Sequence, residues 1–370
     1  MGVYSIVLAL SLIFAFWNLL KNKDRSRTLL IILFSILFLI SAIRVNVGAD
    51  YAHMRDDIFY KIGGNFANGT YVEHGYGLLN AFLYNVSFGH YHSLLLLSAL
   101  LYSSVFFLLI RRFVDKKWQL YSGFLYIGTG IFFATLNLTR QYWAISLVIL
   151  AFIMFMKFKD TSRLKAALIP LALIALASVF HLSSLISLLF VPFYLIAKSK
   201  HARLFFGIAI ATSVLFMFID IRTVVTALSS ILPSRWQWYT ESRFLNYRNF
   251  SSIVKQIPII LMAGYSIMYF KELKQYKYFT PAISLFIVNT IITNIAFGIM
   301  VLVRLSYYFD FSILLLLPII LAHIREKFGK RLFIIGTVLS TSYYVSLTIV
   351  TIFIMNGQGV MPYNSLIGGF

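Results

Sequence analysis

Cysteine is absent from all 370 residues, which excludes a disulfide framework, a thiol nucleophile and a cysteine-bound metal. Nothing here reports the redox compartment. Acidic side chains are scarce, 12 Asp and Glu against 32 Lys and Arg, and charged residues of both signs make up only 12% of the chain. No Gly-x-Gly-x-x-Gly or Walker-type loop occurs, so an intrinsic nucleotide site is not expected. There is no Asp-x-Asp pair either. Asp56 and Asp57 are neighbours, which on a helix diverge by about 100° and do not share an ion. We therefore expect no metal and no cofactor.

What fills the chain instead is apolar: 60% of its residues are hydrophobic and the mean hydropathy is +0.84. Runs long enough to cross a bilayer recur throughout, so the chain reads as an all-α polytopic membrane protein. A net charge of +20 would suit a nucleic-acid partner on a soluble domain. Here the cations sit in short loops between apolar runs, and no nucleic acid is expected. Residues 1–20 lack a basic start and a small-residue cleavage site, and are expected to form a retained helix rather than a cleaved leader.

The apolar segments are Gly2 to Leu20, Arg27 to Ile43, His92 to Ile110, Trp118 to Thr135, Tyr142 to Lys157 and Lys165 to Phe180. They continue with Ser183 to Ala197, Leu204 to Ile219, Ile253 to Phe270, Tyr278 to Met300, Leu305 to His323 and Leu332 to Met355. Spanning backbone must satisfy its own polar groups, and these runs are too long for barrel strands, so about 12 transmembrane helices are expected. Gly75 to Gly89 is shorter and reads as interfacial or re-entrant. We expect one integral membrane domain over 1–370, with long loops after helices 2 and 8, at 44–91 and 220–252.

Alternate loops sort by charge. The set beginning at Lys21 holds 22 of the 32 Lys and Arg, and by the positive-inside rule it is cytoplasmic. Both long loops then lie outside. That assignment places Arg44, Asp50, Glu73, Arg140, His181, Arg243 and Arg304 at or beyond helix ends on one face. Charges beside the apolar slab are costly unless paired or facing a wet cavity, so an outward-facing cleft is expected.

These residues also fall in blocks: Arg-x-x-x-Gly-x-Asp-Tyr at 44–51, Glu-x-Gly-Tyr at 73–76, Asn-x-x-Arg-Gln at 137–141, Phe180-His181, Arg-x-x-Tyr-Tyr-Phe at 304–309 and a closing Pro362-Tyr363. In order and spacing they resemble the EpsG family, Wzy-like polymerases of bacterial exopolysaccharide and capsule. Ala49 stands where that family more often has Thr or Ser. The resemblance implies a GT-C-like glycosyltransferase of the bacterial inner (plasma) membrane, active on the extracytoplasmic face. It would move a growing glycan from undecaprenyl pyrophosphate onto a lipid-linked repeat unit. Implied partners are the undecaprenyl-pyrophosphate-linked oligosaccharide, membrane lipid, and the chain-length regulator and flippase of the same pathway.

Under that implication the residue types have roles. Arg140 and Arg304, then Arg44 and Arg243, offer permanently charged bidentate donors to a pyrophosphate leaving group. Asp50, Glu73 and His181 are candidates to take the proton of the acceptor hydroxyl, Asp50 matching the first-outer-loop carboxylate of GT-C enzymes best. Tyr51, Gln141, Trp236, Trp238, Tyr307 and Tyr308 would contact substrate. Plainer roles compete with each: Arg140 and Arg304 snorkelling to lipid headgroups, His181 packing at a helix boundary, Asp50 capping the segment 51–60, and the Trp and Tyr residues forming an interfacial belt. Two other functions compete as well. A flippase of lipid-linked oligosaccharide would place charges near the midplane on broken helices, and a membrane-bound O-acyltransferase would draw its acyl donor from the cytoplasm.

Overall fold

The computed structural model describes residues 2–20, 26–64, 72–219, 250–297 and 299–369. Among them the chain is helical almost throughout. The principal helices are α1 Gly2–Leu20, α2 Ser26–Ala42, α3 His74–Val86, α4 His92–Phe113, α5 Gln119–Gly128, α6 Ile131–Asn137, α7 Thr139–Phe158 and α8 Arg163–Phe180. They are followed by α9 Phe190–Lys198, α10 Ala202–Phe216, α11 Phe250–Met268, α12 Phe279–Ile295 and α13 Ser312–Thr348. Five stretches are long and apolar enough to span a bilayer: Gly2–Leu19, His92–Phe113, Thr139–Phe158, Arg163–Phe180 and Ser312–Ile354. Their outward positions carry Ile6, Ile13, Leu96, Leu100, Leu168 and Leu171, all exposed, where a soluble helix would present polar residues. Lipid is the solvent these faces suit.

Several expected segments are broken. Trp118 to Thr135 is two helices, α5 and α6, parted at Gly130, whose φ of +86° no continuing helix adopts. Ser183 to Ala197 opens as a 3₁₀ helix over Leu182–Leu189 and becomes α-helical only at Phe190. Pro192 explains that start, since it lacks the N–H that a helix continuing from upstream would need. The segment expected from Leu305 opens with a 3₁₀ turn, Ser306–Tyr308, and helix begins at Ser312. α13 is two helices that meet at Gly329, whose φ of +83° and ψ of 178° are not helical, which keeps the segments expected from Leu305 and Leu332 apart. The short apolar piece after the first loop is α3, with Leu78, Phe82 and Val86 exposed along one side, as an interfacial helix requires.

The chain divides into two compact units, Met1–Leu185 with Ile334–Phe370, and Ile186–Phe333. In the first, α2 packs on α4, α4 on α7, α7 on α8, and α3 on α8. Residues 356–369 fold back onto the loop that follows α2. Val45 N donates to Asn364 O (2.9 Å), Leu366 N to Ile43 O (3.0 Å), Gly48 N to Gly359 O (2.9 Å) and Ala49 N to Gln358 O (3.0 Å). The Tyr363 hydroxyl reaches Ile40 O at 2.9 Å.

The second unit packs α9, α10 and α11 around α12. A buried amide chain crosses it, from Gln256 Nε2 to Asn294 Oδ1 (3.0 Å) and from Asn294 Nδ2 to Ser213 Oγ (2.9 Å). At another point Glu272 accepts from Lys327 at 2.6 and 2.7 Å and meets His323 Nε2 at 3.0 Å, while His323 Nδ1 pairs with the Tyr265 hydroxyl at 2.6 Å.

Candidate functional site

Three residues far apart in the sequence meet in the first unit. Arg140 NH1 donates to Glu73 Oε2 at 2.8 Å, and His181 Nδ1 lies 3.1 Å from Glu73 Oε1. The side chains of Arg140 and Glu73 are 27% exposed and that of His181 23%, so the group is sheltered yet open to a ligand.

The backbone explains why they meet. Glu73 immediately precedes α3, and the next turn is pressed onto the end of α8: a Cβ on Gly75 would lie 2.7 Å from Val179 Cγ1 and 2.9 Å from Val179 O. Only glycine permits that approach, and it carries Glu73 to His181, the residue just past α8. Arg140 stands in the first turn of α7, where the helix dipole already contributes positive charge. A carboxylate opposite is what such a position needs. The Tyr102 hydroxyl fixes this helix start by donating to Thr139 O at 2.7 Å.

Burial alone would raise the Glu73 carboxyl. The hydrogen bond with His181 and the charge of Arg140 outweigh it, and Glu73 is held below the ordinary glutamate range. An ionised carboxylate only accepts, so the hydrogen on Nδ1 of His181 points at Glu73, and the Nε2 lone pair of the neutral ring faces away. Among the described residues nothing hydrogen-bonds Nε2.

The other expected site residues divide. Asp50 is half-buried, and among the described residues its carboxylate has no hydrogen-bond or ion-pair partner. Its backbone N–H donates to Asn137 Oδ1 at 2.8 Å and its carbonyl accepts from Met54 N, so it opens the next helical segment through the backbone and not as a side-chain cap. Arg44 is turned inward and only 1% exposed, with NH1 on Ser41 O (2.5 Å) and Ser41 Oγ (3.0 Å). Tyr51, Gln141 and Tyr308 are buried, and Tyr51 stacks edge-on to Tyr91. Arg304 and Tyr307 belong to the second unit and are half-buried. Trp236, Trp238 and Arg243 lie outside the described residues. Asp56 pairs with Arg55 and Asp57 with Lys61 and His53, all at the surface.

Sequence reasoning passed over several participants. Asn137 accepts from Asp50 N and donates from Nδ2 to Gln358 Oε1 at 3.0 Å, tying the folded-back segment to the loop of Asp50. Trp143 stacks on Phe180 at 5.5 Å and 10°, and its Nε1 donates to Ser98 Oγ at 2.9 Å. The signal was present: Trp143 is one helical turn from Arg140, and Phe180 adjoins His181. Asp310, in the second unit, sits in the turn before α13. Burial pushes its carboxyl up to about 6, with the neighbouring Asn289 amide pulling the other way.

Apolar spanning helices and a sheltered charged cluster define an all-helical polytopic membrane protein. The EpsG family model matches residues 27–365, nearly the whole chain, and the protein belongs to that family. Membership associates it with a polysaccharide polymerase-like role. No curated protein and no solved structure matches.

Proposed function

We propose that the protein polymerises a polysaccharide at the extracytoplasmic face of a bacterial inner membrane. It transfers a growing glycan from a polyprenyl pyrophosphate, undecaprenyl pyrophosphate in our reading, onto the next lipid-linked repeat unit. Family membership sets the class, and the observation that carries the mechanism is the Arg140–Glu73–His181 network.

The roles follow from chemistry. Glu73, held ionised, is too weak a base to take a hydroxyl proton, and acts as the group that orients its two partners. His181 takes the proton at Nε2. As the acceptor O–H bond breaks, its oxygen bonds to the sugar anomeric carbon, and the bond from that carbon to the pyrophosphate oxygen breaks with the electron pair leaving on phosphate. The charge so released faces the remaining N–H donors of Arg140 at a helix N-terminus, an arrangement suited to phosphate. Asp50, on the loop held by Asn137, accepts a hydrogen bond from the acceptor sugar. The Trp143–Phe180 pair offers an apolar wall to a sugar ring.

The test is incubation of the purified protein, without nucleotide, with lipid-pyrophosphate-linked repeat units. A ladder spaced by one repeat with released lipid pyrophosphate is expected. Arg140→Ala and Arg304→Ala should each abolish it in protein that still inserts and folds. A wild-type reaction with no ladder would overturn the polymerase reading, and normal polymer from both variants would remove the pyrophosphate role.

A further inference from the structure

Between α2 and α4 the first unit carries a groove of about 430 Å³, within the roughly 300–1,000 Å³ common for ligand pockets. Its origin is a contrast in side-chain size. Ser35 of α2 and Ser103 and Ser104 of α4 line it beside the rings of Phe34, Phe38 and Phe107, and small residues next to large ones leave space that two apolar helices would otherwise close. Phe34 and Phe107 meet edge-on at 6.0 Å, which ties the two helices together there. Ile31, Ser35 and Ser104 are exposed, so the groove opens on the surface that faces hydrocarbon.

One end of the groove is basic. The lining positions of α2 keep to one helical face, and four residues before Ile31 that face carries Arg27. On α4, four residues beyond Phe107, the corresponding face carries Arg111, whose guanidinium lies 6.0 Å from the Phe107 ring centroid. The two arginines share an end. Asn18 Nδ2, in the last turn of α1, donates to Lys116 O (3.2 Å) and Lys117 O (3.0 Å) just beyond α4, and α2 packs on the same short turn. Both arginines are exposed, and among the described residues no carboxylate pairs with either. The distribution of Lys and Arg assigns this end to the cytoplasm.

We propose that the groove holds an acyl chain of one anionic phospholipid of the cytoplasmic leaflet, with the lipid phosphate between Arg27 and Arg111. Guanidinium groups present paired N–H donors to phosphate oxygens, and basic pockets between spanning helices take anionic headgroups in this way. This lipid is distinct from the polymerase substrate. Trp143, one turn from Arg140, reaches Ser98 at 2.9 Å, and Arg111 stands thirteen residues further along α4, roughly 20 Å at 1.5 Å per residue. One headgroup cannot lie at both places. α2 leads into the loop of Asp50, and α4 supplies the Tyr102 hydroxyl that fixes the start of α7, so the bound lipid joins two helices that support the candidate site.

The experiment titrates the detergent-purified protein with phosphatidylglycerol and, separately, phosphatidylcholine, and counts bound lipid by native mass spectrometry. Wild type should hold one phosphatidylglycerol at least tenfold more tightly than phosphatidylcholine. Arg27→Gln with Arg111→Gln should abolish that preference. Ser104→Trp, which fills the groove with both arginines intact, should raise the Kd for phosphatidylglycerol at least tenfold. All three positions are exposed, and the variants should melt as wild type does. Arg163→Gln with Arg331→Gln removes two other exposed cations and should leave binding unchanged. Equal loss from that second pair, or equal binding of both lipids by every protein, would mean general attraction of lipid to a basic surface and would overturn the proposal. Polyprenyl phosphate is the competing probe: if Ser104→Trp weakens it and leaves phosphatidylglycerol as it was, the groove belongs to an isoprenoid tail and the proposal is wrong. No arm requires polymer to form, so failure of the polymerase reading would be seen separately.

Discussion

At the scale of single residues, the candidate site depends on one carboxylate serving a guanidinium and an imidazole. The charge pattern made Glu73, Arg140 and His181 legible as polar residues near helix ends, but their pairing was not, because spacings of 67 and 108 residues carry no geometric information. Arg44 shows the converse. Its place at a membrane edge was plain in the sequence, yet its side chain turns inward and its charge falls on the buried phenols of Tyr4 and Tyr363. The Glu73 pairing has a pH signature. Its carboxyl is depressed, so the stabilisation is fully present above the ordinary glutamate value of about 4.3 and is lost as pH falls through the lower folded value. Glu73→Gln should therefore melt earlier than wild type at pH 7, and the two should converge as pH falls through the lowered folded value. Thermal unfolding in detergent across pH measures this. Equal melting at neutral pH would mean the network contributes nothing to the fold. Arg140→Lys is the companion change: it keeps the charge and loses the planar fork, so a fall in polymer of about tenfold or more is expected on gels.

At the scale of elements, the arrangement rests on close backbone approaches that composition hides. Twelve apolar segments could be read from hydropathy, and helix occupies each of them among the described residues. Their internal breaks at Gly130 and before Phe190 were not read, since a single glycine or proline inside an apolar run hardly alters its mean hydropathy. Gly75 is the sharpest case. Gly75→Val should force α3 away from Val179, separating Glu73 from His181, at a cost of about 1–3 kcal/mol for an overpacked contact. Lost polymer together with a lowered melting temperature is the expected outcome. Gly48 makes a related demand: its φ is +109° and an added Cβ would lie 2.6 Å from Leu136 O. Gly48→Ala should loosen residues 356–369 from the loop, and faster proteolytic cutting within that segment would report it. Unchanged cutting would show that the contact yields without consequence.

At the scale of the whole molecule, the sided distribution of Lys and Arg is the broadest inference from sequence, and the absence of cysteine makes it directly measurable. A single cysteine placed at Phe88, which is fully open, should react in intact cells with a reagent that does not cross the membrane. One placed at Lys200, also exposed, should react only after the membrane is opened. The reverse pattern would invert the topology and move the candidate site to the cytoplasm.

The segment folded onto the first loop also sets an order of events during synthesis. Residues 358–366 pair with residues 43–49 yet leave the ribosome more than three hundred residues later, roughly 15–60 s at ordinary elongation rates. Until then Gly48 N and Ala49 N lack the carbonyls that hold them, and Asn137 lacks Gln358. A nascent chain already threaded into the bilayer would thus carry its charged residues in place but unlocked. The loop of Asp50 therefore gains its last backbone partners only when the final residues of the chain have been made.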